Sequence, residues 1–175
     1  FKKSITATTK NPDVKPFNNR FPFKPLDHKK YLALSDYCQH FLWELESIKK
    51  HLWQRDNEVW YFPSGTSDLI DKIRLSRIGV KIAESHKKGF RLDHQAAIAF
   101  GSEFTESIFE LTSKQVRDYY LGKDLYPENS LTNYSGEIVL TYNKKPVGLG
   151  KKVSKRIKNS LPRELVRDSS FYDMS

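Results

Sequence analysis

Glu137-Ile-Val-Leu-Thr-Tyr-Asn-Lys-Lys-Pro-Val-Gly-Leu-Gly-Lys-Lys-Val153 reads as a strand, a turn and a returning strand. Ile138, Leu140 and Tyr142 recur at alternate positions as one set, the period of a half-buried strand. Asn143-Lys144-Lys145 supplies the turn, and residues 146–153 pair back. The hairpin runs directly into Ser154-Lys-Arg-Ile-Lys-Asn-Ser-Leu-Pro162. From residue 144 to 167 there are nine basic residues and one acid, Glu164, a surplus of eight against +9 for the whole chain. The remainder is therefore nearly neutral. A cationic end on a folded scaffold points first to a polyanion, most commonly nucleic acid.

Upstream, short strands alternate with short helices. Asp27 is placed to cap a helix over 28–45, with Tyr31, Leu34, Cys38, Phe41, Leu42 and Leu45 at steps of three and four. Leu52-Trp-Gln-Arg-Asp-Asn-Glu-Val-Trp-Tyr-Phe62 has two β-prone aromatic runs around Asp56-Asn57, a hairpin signature. Residues 67–73 suit a short helix. Residues 77–84 alternate Ile78, Val80 and Ile82 as a strand, Lys87-Lys88-Gly89 turns the chain, and 90–92 returns. Asp93 caps a helix to about Ala99, ended by Gly101. Thr112 and Gln115 have capping-box spacing for 113–121, followed by Gly122 at the C′ position. Residues 1–25 are basic and proline-punctuated and read as a linker. The pattern is α+β with a small curved sheet or barrel.

The 175 residues, 38% hydrophobic, suffice for one domain or two small ones. No apolar window is long enough to span a membrane, and no signal peptide opens the chain. One cysteine, Cys38, excludes an internal disulfide and points to a reducing, cytoplasmic compartment. The start at Phe1 reads as a cut from a longer protein.

Several patterns bear on chemistry. Gly148-Leu-Gly150 with Lys151-Lys152 lacks the spacing of a Walker loop. The glycines either let a backbone approach phosphates or serve strand curvature, and curvature is favoured for at least one. Lys158-Asn159 suits a base edge or ribose, and equally a turn in which Asn159 and Ser160 satisfy their own backbone, the two not being exclusive. Trp53, Trp60 and Phe62 are assigned to packing, with Tyr61 undecided between packing and base stacking. Cys38, among apolar residues, reads as a buried, inert thiol. His28, His40, His51, His86 and His94 are scattered, so no metal site is expected, and His86 and His94 read as surface groups. Glu44 and Glu46 read as helix surface. No Gly-x-Ser-x-Gly elbow occurs.

Taken together, Arg77-Ile-Gly-Val-Lys-Ile-Ala-Glu84, Lys88-Gly-Phe-Arg91, His94-Gln-Ala-Ala-Ile-Ala99, Phe109-Glu-Leu-Thr112, Tyr120-Leu-Gly-Lys-Asp-Leu-Tyr-Pro127, Pro146-Val-Gly-Leu-Gly-Lys151 and Arg156-Ile-Lys-Asn-Ser-Leu-Pro-Arg-Glu-Leu-Val-Arg-Asp168 resemble a known family. It is the bacterial ribosomal RNA small subunit methyltransferase F family, in the NOL1/NOP2/Sun group of RNA cytosine-C5 methyltransferases. The likeness covers most of residues 21–168 and extends up to Leu52-Trp-Gln-Arg-Asp56. It implies a junction over 1–20 leaving an absent N-terminal catalytic domain, a connecting α/β domain over 21–88, and a PUA-like RNA-binding β-barrel with short helices over 89–175. It also implies small-subunit ribosomal RNA and that catalytic domain as partners, and S-adenosylmethionine as cofactor of the parent enzyme.

Cytosine-C5 methylation needs a thiolate that attacks the ring. The group carries Thr-Cys and Pro-Cys motifs for that step, and this chain has neither. No catalytic or cofactor-binding residue is therefore expected. The residues expected to meet RNA are Lys144, Lys145, Gly148, Gly150, Lys151, Lys152, Lys155, Arg156, Lys158, Asn159 and Arg163. Lys87, Lys88 and Arg91 extend that surface if their turn faces outward. The rival readings are a module that docks an acidic ribosomal or catalytic-domain surface, and a stand-alone enzyme with an unrecognised site.

Overall fold

A computed structural model describes residues 21–70, 78–128 and 131–168. Expectations for residues 1–20, 71–73 and 77 lie outside these.

The first helix, α1 (His28–Cys38), starts where Asp27 accepts from the Lys30 N–H at 2.8 Å. It buries Tyr31, Leu34 and Cys38. It ends well short of residue 45. A 3₁₀ turn (Gln39–Phe41) follows, and Leu42 adopts φ 47°, a left-handed conformation that stops helical propagation. Leu42 consequently points out, 50% exposed, although its spacing marked it for the core.

A five-stranded antiparallel sheet carries β1 (Lys24–Pro25), β2 (Leu52–Arg55), β3 (Glu58–Tyr61), β4 (Val80–His86) and β5 (Gly89–Leu92) in sequence order. Asp56-Asn57 makes the β2–β3 turn, with Asp56 at φ 51°. A short helix, α2 (Thr66–Leu69), follows this hairpin. The linker expected through residue 25 is corrected for 21–25. Pro25 sits on the edge strand, where its missing N–H costs no ladder bond. Phe21 stacks edge-on to Trp53, and Phe23 edge-on to Trp60 and Phe62, covering that face of the sheet. Beside them Glu58 is hydrogen-bonded by Arg55, Trp60 and Lys81. Burial works against its carboxylate, but those partners win and hold its pKa at about 2.

α3 (His94–Phe100) begins where Asp93 accepts from the Gln95 N–H at 2.9 Å. A second, mixed sheet follows. It contains β6 (Ile108–Glu110), β7 (Glu137–Tyr142), β8 (Lys145–Val153) and β9 (Arg156–Asn159), with β6 parallel to β7 and the others antiparallel. α4 (Ser113–Tyr120) provides the crossover, with the Thr112/Gln115 capping box formed and Gly122 at φ 76°. The class is α+β. Among the described residues the second sheet has four strands and no closing pair between β6 and β9. A lone antiparallel bridge joins Leu125 to Ile157 of β9. No helix among these residues is long and apolar enough to cross a membrane.

The expectation of one inward set on β7 is too narrow. Ile138 and Leu140 join a core with Leu111, Tyr119 and Ile157. Val139 on the opposite face is equally buried and, with Leu149 of β8, belongs to the core of the first sheet. The two halves therefore share packing. Gly101, at the end of α3, sits so close to β8 that a Cβ there would lie 2.8 Å from Pro146. The β4–β5 turn, where the sequence reading drew a boundary, lies inside one hairpin of the first sheet.

Candidate nucleic-acid interface

Pairing register decides which basic side chains meet. Lys151 lies opposite Glu137 on one side and Lys158 on the other, so the three share a face. Leu149 and Val139 lie on that same face, which looks toward the first sheet. Between the two halves lies a cleft of about 1450 Å³. Lys151, Lys158 and Arg163 line it from the second sheet and its C-terminal extension, and Lys88 and Arg91 line it from the β4–β5 hairpin.

The floor joins the halves. The Tyr37 hydroxyl donates to Glu137 Oε2 and accepts from the Leu92 N–H at 2.9 Å, while His40 Nε2 donates to the Glu137 carbonyl at 2.7 Å. Burial, and then the neighbouring Glu137 charge, push the Tyr37 phenol well above its ordinary value. It is a neutral structural donor there. Leu92 donates this way because β5 is an edge strand whose free side faces the cleft.

The cleft's charges are unequally satisfied. Lys81 is held by Glu58 at 2.9 Å, by Glu84 and by Asp93, and Glu137 is engaged by Tyr37. Among the described residues no carboxylate lies within ion-pair distance of Lys88, Arg91, Lys151, Lys158 or Arg163. Asp36, Glu137 and Glu164 are the lining acids with no ion-pair partner, and Glu137 is met instead by the Tyr37 hydroxyl. The lining's six cations face five acids, a net of one positive charge, so it is the placement of the five cations without ion pairs, not the net charge, that suits a bound anion.

Other residues named from sequence fall elsewhere. Lys144 and Lys145 sit at the β7–β8 turn, where Asn143 and Lys144 have φ 50° and 61°. The nine residues of β8 put that turn on the order of 25 Å from the β8–β9 turn. Lys155 occupies the latter turn, and Lys87 the exposed β4–β5 turn outside the lining. Lys152 shares the opposite face with Ile157, and Arg156 is paired with Asp124 at 3.2 Å. A Cβ at Gly148 would lie 2.1 Å from the Tyr119 hydroxyl, and one at Gly150 2.3 Å from Ile157. Both glycines are explained by packing. Tyr119 fills the space over Gly148, where its hydroxyl exchanges 3.0 Å hydrogen bonds with both backbone groups of Leu149.

Asn159 lines the cleft, yet its side chain is spent on the backbone. Nδ2 donates to the Tyr119 and Lys123 carbonyls at 2.8 and 2.9 Å, and Oδ1 accepts from Leu161 N–H at 2.8 Å. No donor remains to read a base, so the turn reading holds for this side chain.

Sequence reasoning passed over Tyr37, His40, Phe90 and His94 as lining residues. The sequence places His94 among surface groups. Its Nδ1 is instead buried with no hydrogen-bond partner, and the Asp93 cap that places it at the first helical position was the available signal. Burial lowers its pKa, opposed in part by Asp93 and Glu164. As pH falls below 6.5, the unfolded chain takes up a proton at His94 that the folded one resists. This contribution to stability is full above that pH and declines below it. Denaturant midpoints for H94Q should therefore fall less between about pH 7 and pH 5 than those of the wild type, and equal slopes would contradict the assignment.

Burial pushes the Cys38 thiol up to about 12, consistent with an inert side chain. No group of three metal-ligating side chains occurs among the described residues.

Two family models match the chain. "Ribosomal RNA small subunit methyltransferase F, pre-PUA domain" covers residues 23–100, and "Methyltransferase RsmF PUA domain" covers 106–167. Curated relatives carrying the name ribosomal RNA small subunit methyltransferase F include those of Salmonella paratyphi B (41% identical over 154 residues, 87% of this chain and 31% of the relative) and Photobacterium profundum (38% over 168 residues, 96% and 35%). The protein of Escherichia coli O157:H7 is 46% identical over 121 residues, 69% of this chain and 25% of the relative. The chain thus spans about a third of the length of the relatives it matches.

Proposed function

Because the chain belongs to the ribosomal RNA small subunit methyltransferase F family and carries its pre-PUA and PUA domains, we propose that it captures small-subunit ribosomal RNA and presents it to a methyltransferase domain of the same polypeptide. The parent enzyme in this reading uses S-adenosylmethionine to methylate a cytosine at C5 in the cytoplasm. This chain contributes affinity and position, which raise the effective concentration of the target base at the active site. A PUA-like barrel built on the second sheet is part of the same reading.

The observation that carries the proposal is the set of cations without carboxylate partners in the cleft: Lys88, Arg91, Lys151, Lys158 and Arg163. Such side chains repel one another until an anion is bound, and phosphate is the anion that RNA repeats along its length.

Filter binding of the chain to small-subunit ribosomal RNA across a salt series tests this. If each of the five neutralises one phosphate, log affinity against log salt should have a slope of about −3.5, at roughly −0.7 per contact on single strands. A slope shallower than about −1, with no preference for ribosomal RNA over heparin, would favour docking to an acidic protein surface instead.

A further inference from the structure

We infer that the cleft grips unpaired RNA from both sides, with Lys88 and Arg91 of the β4–β5 hairpin forming an RNA-binding wall opposite Lys151, Lys158 and Arg163. This rests on the RNA-binding reading above and adds a substrate class and a second set of contacts to it.

The walls belong to different sheets but to one rigid frame. Val139 and Leu149 of the second sheet are packed in the first sheet's core, and Glu137 is tied to Tyr37, His40 and Leu92. Their spacing is therefore set before any ligand arrives, and little ordering entropy is lost on binding. Cations on facing walls suit a single backbone running between them, since its phosphates can be met from either side. The volume of about 1450 Å³ exceeds the roughly 300–1,000 Å³ of small-molecule sites.

A duplex fits poorly. Its phosphates lie on the outside of a wide cylinder that would rest on the rims and leave the recessed floor at Tyr37 and Leu149 untouched. An unpaired strand reaches that floor. There the half-buried ring of Phe90 gives a base a surface to stack on. Asp36 and Glu164, left without cationic partners, can accept from exocyclic amines of unstacked bases.

Fluorescence anisotropy with the full chain distinguishes the outcomes, using a short single-stranded RNA and a hairpin duplex of the same sequence. K88E/R91E should weaken single-strand binding by about ten-fold or more and make the salt slope shallower by about 1.4, with K88Q/R91Q giving a smaller loss in the same direction. K144E/K145E, outside the cleft, should bind within about two-fold of wild type. Wild-type binding by K88E/R91E, alongside lost binding by K151E/K158E, would overturn the two-walled grip while leaving the RNA reading intact. Tighter binding of the duplex would overturn the substrate class. Unchanged binding by every cleft variant would overturn both.

Discussion

K151E/K158E is expected to weaken RNA binding about 100-fold. A hydrogen bond to a charged group is worth roughly 1.5–3 kcal/mol, so two lost phosphate contacts account for about 3 kcal/mol. The two lysines are direct cross-strand partners and neither has a carboxylate in ion-pair range among the described residues. Like charges placed opposite one another are mildly unfavourable in a sheet. Their juxtaposition is the arrangement that the proposed RNA contact would use. Stability should change by no more than about 1 kcal/mol, mostly through the new glutamate opposite Glu137. Anisotropy titration reads the first effect and thermal melting the second. An affinity within about three-fold of wild type would remove this pair from the interface.

N159A should have the converse signature, with stability lost and affinity retained. The substitution strands the carbonyls of Tyr119 and Lys123 and the N–H of Leu161. At about 1 kcal/mol for each hydrogen bond lost, the expected destabilisation is about 3 kcal/mol. A urea titration measures it, and RNA binding below the transition should match wild type. An unchanged urea midpoint with lost RNA affinity would mean that the amide reads the ligand. The contrast with K151E/K158E separates two neighbouring strand residues that sequence alone places in one basic motif.

Much of the local structure was legible because it is written in short-range chemistry. Asp27, Asp93 and the Thr112/Gln115 pair start helices where their side chains accept from nearby N–H groups. The hairpins around Asp56-Asn57 and Asn143-Lys144 follow from residues that tolerate positive φ. Errors arose where distant packing overrode the local pattern. Leu42 kept helical spacing, but the chain turned left-handed at that residue and left it exposed. Residues 21–25 looked like linker because proline and charge dominate them. Phe21 and Phe23 are nevertheless held by an aromatic face that other segments build. β6 and β9 are short and escaped the pattern altogether, because their partners supply most of their stabilisation.

The amino-acid sequence by itself determined the α+β alternation, the hairpins and their caps, the cationic surplus near the C-terminal end, and the family. These depend on residue type and on spacing within a few turns of chain. The tertiary structure alone decided which cations act together. A strand sends successive side chains to opposite faces, so Lys151 and Lys158 enter the cleft while Lys152 does not, and Arg156, on the same face as Lys158 but beside the β8–β9 turn, is held by Asp124. The shared core then brings Lys88 and Arg91, some sixty residues earlier, to the opposite wall. Charge in a sequence is a sum, whereas a binding surface is an arrangement in space that only pairing register and packing can set.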